Sequence, residues 1–195
     1  MEAIEGPVRL GIAGGSVLEV LGQGSLAATW PRVELTWVDE RLVRVADAAS
    51  NRGAALARTR APLAAHTLPL VLDEELAHPE LALARVEAEL ATRWRGALDL
   101  TLLGLGEDGH VASLFPGRAF DAAGAQVMLV HDAPKPPPER ITLTLSMLRT
   151  ARAHVIYAVG AGKREAIARL RAGDPALPGT QLGGVVIVTD EAGAG

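Results

Sequence analysis

Cysteine is absent from all 195 residues, which excludes disulfides, a thiol nucleophile, a cysteine zinc site and a thiolate-bound iron–sulfur cluster. Aromatic residues are scarce as well: two Phe, one Tyr and three Trp make up 3% of the chain, which leaves little on which to stack bases. Nor is there an excess of positive charge. With 19 Lys and Arg against 23 Asp and Glu the formal net charge is −4, so there is no basic field for a polyanion, and nucleic acid is not an expected partner. The opening residues Met1-Glu2-Ala3-Ile4-Glu5-Gly6-Pro7 lack the basic-then-apolar order of a secretion signal, and no apolar run is long enough to span a bilayer. The expectation is a cytoplasmic protein with no membrane partner. What the chain does have is 49% apolar and 22% charged residues, the balance of an ordinary globular protein, at a length suited to a single domain over 1–195.

Short apolar runs recur at Val8 to Ala13, Val33 to Val38, Leu98 to Leu105, Val127 to Val130, His154 to Val159 and Val185 to Val188. Runs of this kind predict strands of a parallel sheet covered on both faces. Helical patterns lie between them. One runs from Pro79 to about Arg95, with Leu83, Val86, Leu90 and Trp94 at helical spacing and Gly96 as its stop. A second follows Ser50-Asn51, which can cap it, and a third starts near Lys163 and ends at Gly173-Asp174-Pro175. The predicted fold class is α/β, a doubly wound, mainly parallel sheet with helices on both faces and right-handed crossovers. Ile141 to Leu145 alternates Thr with aliphatic residues and predicts a half-exposed strand. The Pro134-Lys135-Pro136-Pro137-Pro138 run is a stiff connector within the domain.

In open α/β sheets ligands bind beyond the carboxyl ends of the strands. Four such ends carry chemistry. Gly14-Gly15-Ser16 follows the first strand and enters the apolar segment Val17 to Leu21; converging backbone N–H groups there suit an anion, although glycines equally serve a plain tight turn. Trp37-Val38-Asp39-Glu40-Arg41 packs three charges after a strand. As a generic charge run it reads as a solvated loop, but at this edge Arg41 could bind a phosphate or an oxyanion, with Asp39 holding it or binding a hydroxyl. Gly160-Ala161-Gly162-Lys163 offers close approach and a point charge for a phosphate.

The most informative end is Gly104-Leu105-Gly106-Glu107-Asp108-Gly109-His110. It spells G-x-G-x-x-G, and Asp132 follows at about the distance expected of a ribose-binding carboxylate. Glu107 and Asp108 put negative charge where a pyrophosphate would lie, however, and Pro116-Gly117 cuts off the helix that would hold it. The dinucleotide reading therefore fails. His110 remains, at a flexible glycine exit, with Asp108 two residues before it to orient an imidazole that can take a proton from water. Metal binding by this pair lacks a third ligand. Ser113 could share a helix face with His110 but sits in no nucleophile elbow. His66, His78, His131 and His154 read as structural.

Taken in order, Gly14-Gly15-Ser16, Trp37 to Arg41 with Ser50-Asn51, Gly104 to Gly117, Asp132 to Thr142 and Gly160 to Lys163 resemble the glucosamine-6-phosphate isomerase/6-phosphogluconolactonase family over nearly the whole chain. The resemblance implies a sheet like that of glucosamine-6-phosphate deaminase and ribose-5-phosphate isomerase. It further implies a hydrolase of the phosphorylated sugar lactone 6-phospho-D-glucono-1,5-lactone, working in the pentose phosphate pathway without metal or organic cofactor. In its terms His110 is the general base, Asp108 orients it, and Arg41 stabilises the oxyanion or holds the phosphate. Gly14, Gly15, Ser16 and Lys163 form the phosphate cradle, with Arg140 and Lys135 closing over the same charge. Three departures stand out: a shorter region before Gly14 than the family carries, a short connection from Ser16 to Val33, and Leu177-Pro178-Gly179-Thr180 where the family has a different turn. A missing covering helix would expose an apolar sheet face that the other helices, or a second subunit in a homo-oligomer, must cover. The alternatives are an aldose-phosphate isomerase or deaminase of the same superfamily, and a non-catalytic sugar-phosphate-binding domain.

Overall fold

A computed structural model describes residues 6–21, 30–58 and 67–194. His66 and residues 22–29, half of the connection between Ser16 and Val33, lie outside these residues. Along the chain run β1 (Val8–Ile12), α1 (Val17–Leu21), β2 (Val33–Trp37), β3 (Asp39–Arg41), α2 (Asn51–Arg58), β4 (Thr67–Leu68), α3 (Pro79–Ala91) and β5 (Leu100–Gly104). There follow β6 (Val127–Val130), β7 (Arg140–Leu143), α4 (Leu145–Leu148), β8 (Ala153–Tyr157), α5 (Arg164–Arg171), β9 (Val185–Val188) and α6 (Glu191–Ala194).

Six of the strands form one sheet in the order β4-β2-β1-β5-β8-β9, and every pairing in it is parallel. This is the predicted α/β fold. β1 is flanked by β2 on one side and β5 on the other, so the chain winds outward in both directions from it. The carboxyl ends of β1 and β5 therefore meet at the switch point where such sheets open a crevice.

The helices follow the signals in their sequence. Ser50 Oγ accepts the Gly53 N–H at 2.9 Å and caps α2. α3 begins at Pro79 and buries Ala82, Val86 and Leu90. It ends at Ala91, earlier than expected, and closes with the Gly96 N–H donating to the Leu90 carbonyl at 2.7 Å, Gly96 lying at φ +65°. Glu87 on this helix accepts the N–H groups of Gln126 and Val127 at 2.7 and 3.0 Å, which pins the start of β6.

Three expectations need correction. Val127 to Val130 is not in the parallel sheet: β6 joins β3 and β7 in a separate antiparallel sheet of order β3-β7-β6. A four-residue apolar run carries no information about the direction of its neighbours. The Ile141 strand is not half-exposed either. All of β7 is buried, and the strand stops at Leu143 because Thr144 caps α4, accepting the Met147 N–H at 3.3 Å. The polar face survives burial because Thr142 Oγ1 accepts the Ser113 N–H and has backbone carbonyls in reach, Val38 at 3.3 Å and Leu143 at 3.2 Å. Finally, within the parallel sheet only β1 and β2 have consecutive buried residues. β5 and β8 alternate buried with half-buried positions, and edge strand β9 exposes Val186 and Val188.

His154 is buried on β8 and shares a hydrogen bond of 2.8 Å between its Nδ1 and Thr101 Oγ1, its partner in the ladder with β5. Burial pushes its pKa below the usual histidine value. The unfolded chain thus binds a proton that the folded chain refuses, and stability is lost as the pH falls below about 6.5. The expected outcome is a lower urea midpoint at pH 5 than at pH 7, with the drop reduced in a His154→Gln variant; an equal drop in both proteins would contradict this.

Candidate active site

The turn after β1 is built for close approach. Gly15 sits at φ +71°, a conformation that disfavours side chains. A Cβ on Gly14 would lie 1.9 Å from the Asn51 side-chain oxygen, so only glycine lets α2 reach this turn.

After β2 the chain changes sheets. The Val38 N–H donates to the Ile12 carbonyl at 2.8 Å, and Asp39–Arg41 then pairs antiparallel with Arg140–Thr142. Residues Asp39 to Arg41 are therefore a strand, two of them buried, and not a solvated loop. Strand alternation sends Glu40 to the face opposite Asp39 and Arg41. Its carboxylate accepts the N–H groups of Arg41, Asn51 and Arg52 at 2.8, 2.7 and 2.7 Å and the Ser50 hydroxyl at 3.1 Å. Burial raises the Glu40 pKa, and Asp39 adds to this, although the three N–H groups pull the other way. Asn51, at the start of α2, donates its side-chain amide to the Asp39 carbonyl at 2.9 Å.

Asp39 does not hold Arg41. Its Oδ2 accepts the Ser113 hydroxyl at 2.7 Å and lies 3.9 Å from Arg140 Nη1. Arg41 instead donates Nη1 to the Ala49 carbonyl at 2.5 Å, while its Nε is buried without a partner among the described residues. Arg140, 4% exposed, donates Nη2 to the Lys135 carbonyl at 2.8 Å and Nε to the Pro137 carbonyl at 3.1 Å. Burial lowers its pKa and the neighbouring Arg41 charge lowers it further, against the pull of Asp39. An anion between the two guanidinium groups would relieve that repulsion.

Beyond β5 the loop closes on itself. Gly106 N–H donates to the His110 carbonyl at 2.8 Å and Gly109 N–H to the Gly106 carbonyl at 3.0 Å. Inside it, His110 Nδ1 meets Asp108 Oδ1 at 2.5 Å. Partial burial pushes the Asp108 carboxyl up, but the charge and hydrogen bonding of His110 outweigh it and hold the carboxyl below its usual range. A carboxylate there accepts a hydrogen bond from the Nδ1–H, which keeps the proton on Nδ1 and leaves Nε2 with its lone pair. Phe115 packs tilted on the imidazole, with centroids 4.8 Å apart. Gly106 makes space here. A Cβ on Gly106 would lie 2.1 Å from His110 Nδ1 and 2.4 Å from Asp108 Oδ1.

No helix follows. Residues 111–117 run as turns, with Ala112 at φ +52°, and Ser113 points inward to Asp39 instead of sharing a helix face with His110. Asp132 is an exposed partner of Arg118.

These elements enclose one cleft. Gly14, Gly15, Ser16, Asp39, Arg41, His110, Lys135, Arg140 and Lys163 all line it, and Asp108 joins through His110. Asn51 and Glu107 also line it, with Glu107 Oε2 3.9 Å from Lys135 Nζ. Sequence reading gave no site role to Asn51, Glu40 or Ser113. Their only signal was a polar residue where the pattern called for a cap or a loop. Among the described residues no group of three or more His, Asp or Glu could hold a metal ion. The cleft combines an oriented imidazole with four cationic side chains and a glycine turn, which suits proton transfer on an anionic ligand.

Comparison with known proteins follows the same line. The family model for glucosamine-6-phosphate isomerases/6-phosphogluconolactonase matches residues 1–184. The chain is 34% identical to the 6-phosphogluconolactonase of Rattus norvegicus, covering 100% of this chain and 82% of the rat protein. Among solved structures, the 6-phosphogluconolactonase of Thermotoga maritima superposes with a TM-score of 0.78 at 25% identity, over 95% of this chain and 87% of that one. A monomeric glucosamine-6-phosphate deaminase shares the fold at 18% identity and a TM-score of 0.75, over 96% of this chain and 87% of that one.

Proposed function

Because this chain belongs to the glucosamine-6-phosphate isomerase/6-phosphogluconolactonase family, we propose that it is a carboxylic ester hydrolase that converts 6-phospho-D-glucono-1,5-lactone to 6-phospho-D-gluconate. The observation that carries this reading is the 2.5 Å contact between Asp108 and His110 inside a cleft lined by Arg41, Lys135, Arg140 and Lys163.

In this mechanism His110 Nε2 takes a proton from water as its oxygen attacks the lactone carbonyl. The carbonyl π electrons move to oxygen, giving a tetrahedral oxyanion. Asp108 keeps the imidazole in the tautomer that accepts at Nε2 and stabilises the imidazolium that results. The oxyanion then re-forms the carbonyl as the bond to the ring oxygen breaks, and the imidazolium returns its proton to that oxygen. A lactone is an activated ester, so no covalent enzyme intermediate is needed. Gly14, Gly15, Ser16 and Lys163 hold the phosphate through backbone N–H groups and a point charge, with Lys135 at the rim. Arg41 and Arg140 supply positive charge to the oxyanion or the phosphate; the unpartnered Arg41 Nε supports a ligand-binding role.

The deciding measurement is hydrolysis of the phosphorylated lactone above its spontaneous rate. Saturable turnover is expected. Ammonia release from glucosamine-6-phosphate without lactone hydrolysis would replace this reading with the deaminase, and tight 6-phosphogluconate binding without any turnover would replace it with a binding domain.

A further inference from the structure

The chain leaves β8 through Ala158 and Val159 and forms a tight turn, with the Lys163 N–H donating to the Gly160 carbonyl at 3.0 Å. Gly160 stands at φ +94°. Its N–H donates to Asp190 Oδ1 at 3.0 Å. The same oxygen accepts the Gly193 N–H at 2.8 Å, which ties α6 to the turn. Arg164 adds a second tie, donating Nη2 to the Ala192 carbonyl at 3.2 Å. On the other side stands Glu107: a Cβ on Gly162 would come within 2.9 Å of its Oε1. The turn carrying Lys163 is thus wedged between the segment after β9 and the loop after β5. Asp190 lies beyond residues 1–184, the span matched by the family model.

We propose that Asp190 is a positioning residue for substrate binding: by fixing the Gly160 N–H it sets the Gly160–Lys163 turn so that Lys163 faces the cleft and receives the phosphate. This rests on the reading of Lys163 as part of the phosphate cradle. Two backbone N–H groups hold the Asp190 carboxyl below its usual range, so the acceptor is anionic at neutral pH. A lysine tip has several rotatable bonds, and its useful charge depends on where its backbone is anchored. Within the turn, it is the Gly160 N–H that donates to a carboxylate outside it.

Asp190→Ser separates the two bonds. Serine still caps α6 through Gly193 but is too short to reach Gly160 as the carboxylate does. The expected result is a rise of about tenfold in KM for the phosphorylated lactone, and in the Kd of 6-phosphogluconate by calorimetry, the size of one hydrogen bond to a charged group. kcat should change by less than about twofold, because the reacting carbonyl is not touched. Asp190→Asn keeps Oδ1 as an acceptor and should restore near-native KM. In a Lys163→Ala background, Asp190→Ser should add almost nothing, since both act on one interaction. If Lys163→Ala raises KM but Asp190→Ser does not, the positioning role is overturned and the phosphate cradle stands. If Lys163→Ala leaves KM and Kd unchanged, both fall. An effect of Asp190→Ser that is undiminished in the Lys163→Ala background, or that falls on kcat alone, also overturns the proposal.

Discussion

Replacing His110 by alanine is expected to lower lactone hydrolysis by a factor of about a hundred to ten thousand, the range of a positioned general base. The reason lies in one ring with two nitrogens. Nδ1 is committed to Asp108 at 2.5 Å, and the other nitrogen is left for water in a cleft that the side chain lines. Alanine removes the base, while Arg41, Arg140, Lys163 and the glycine turn keep their places, so the KM should move little. Asp108→Asn tests the same dyad from its other end. An amide can donate to Nδ1, which would place the imidazole proton on Nε2 and abolish its basicity, so a loss approaching that of His110→Ala is expected. Initial rates must be read above the uncatalysed hydrolysis of the substrate. A folded His110→Ala protein with native kcat would refute the assignment of the base, and a fully active Asp108→Asn protein would refute the tautomer argument.

Glu40→Ala is expected to lower stability by about 3 kcal/mol and the melting temperature by roughly 6 to 12 °C. Its carboxylate gathers three backbone N–H groups and one hydroxyl in the interior, among them the first N–H groups of α2. Alanine leaves those donors buried without an acceptor, each a sizeable cost. Burial of Glu40 itself works in the other direction, since it raises the carboxyl pKa and makes ionisation unfavourable; this offset is why the loss falls short of the sum of four bonds. Glu40→Gln keeps the volume and one acceptor and should lose about half as much. Because α2 begins with Asn51, which holds Asp39 beside the cleft, activity should fall with the fraction folded and beyond it. Urea denaturation of the three proteins checks the order, and equal midpoints for Glu40 and Ala would show that the donors find water instead.

Both predictions concern residues a few positions apart from motifs that the sequence made visible, yet only one could be made without coordinates. His110 and Asp108 are local: two residues apart, after an apolar run, in a context where a glycine exit and a carboxylate have a shared chemical meaning. Strand-end logic also singled out Gly14, Gly15, Ser16, Arg41 and Lys163, and they line one cleft because parallel strands deliver their carboxyl ends to the same edge. Glu40 was a different case. Its partners Ser50, Asn51 and Arg52 lie ten to twelve residues away and belong to a helix start, and no pattern of charge states that an acid in a charged run is turned inward. The same holds for Ser113, 74 residues from Asp39.

The sequence by itself determined the alternation of strands and helices, the parallel main sheet, the dyad of Asp108 and His110, and the family. These are set by period, by turn chemistry and by residues that act within a few positions of one another. Tertiary structure alone decided that Val127 to Val130 and Ile141 to Leu143 form a second, antiparallel sheet with Asp39 to Arg41, that Asp39 pairs with Ser113 and Arg140 and not with Arg41, and that Gly106 is small because an imidazole and a carboxylate fold back over it. Each of these depends on which distant backbone comes near, and a chain read in one dimension has no distance between residues other than the count along it.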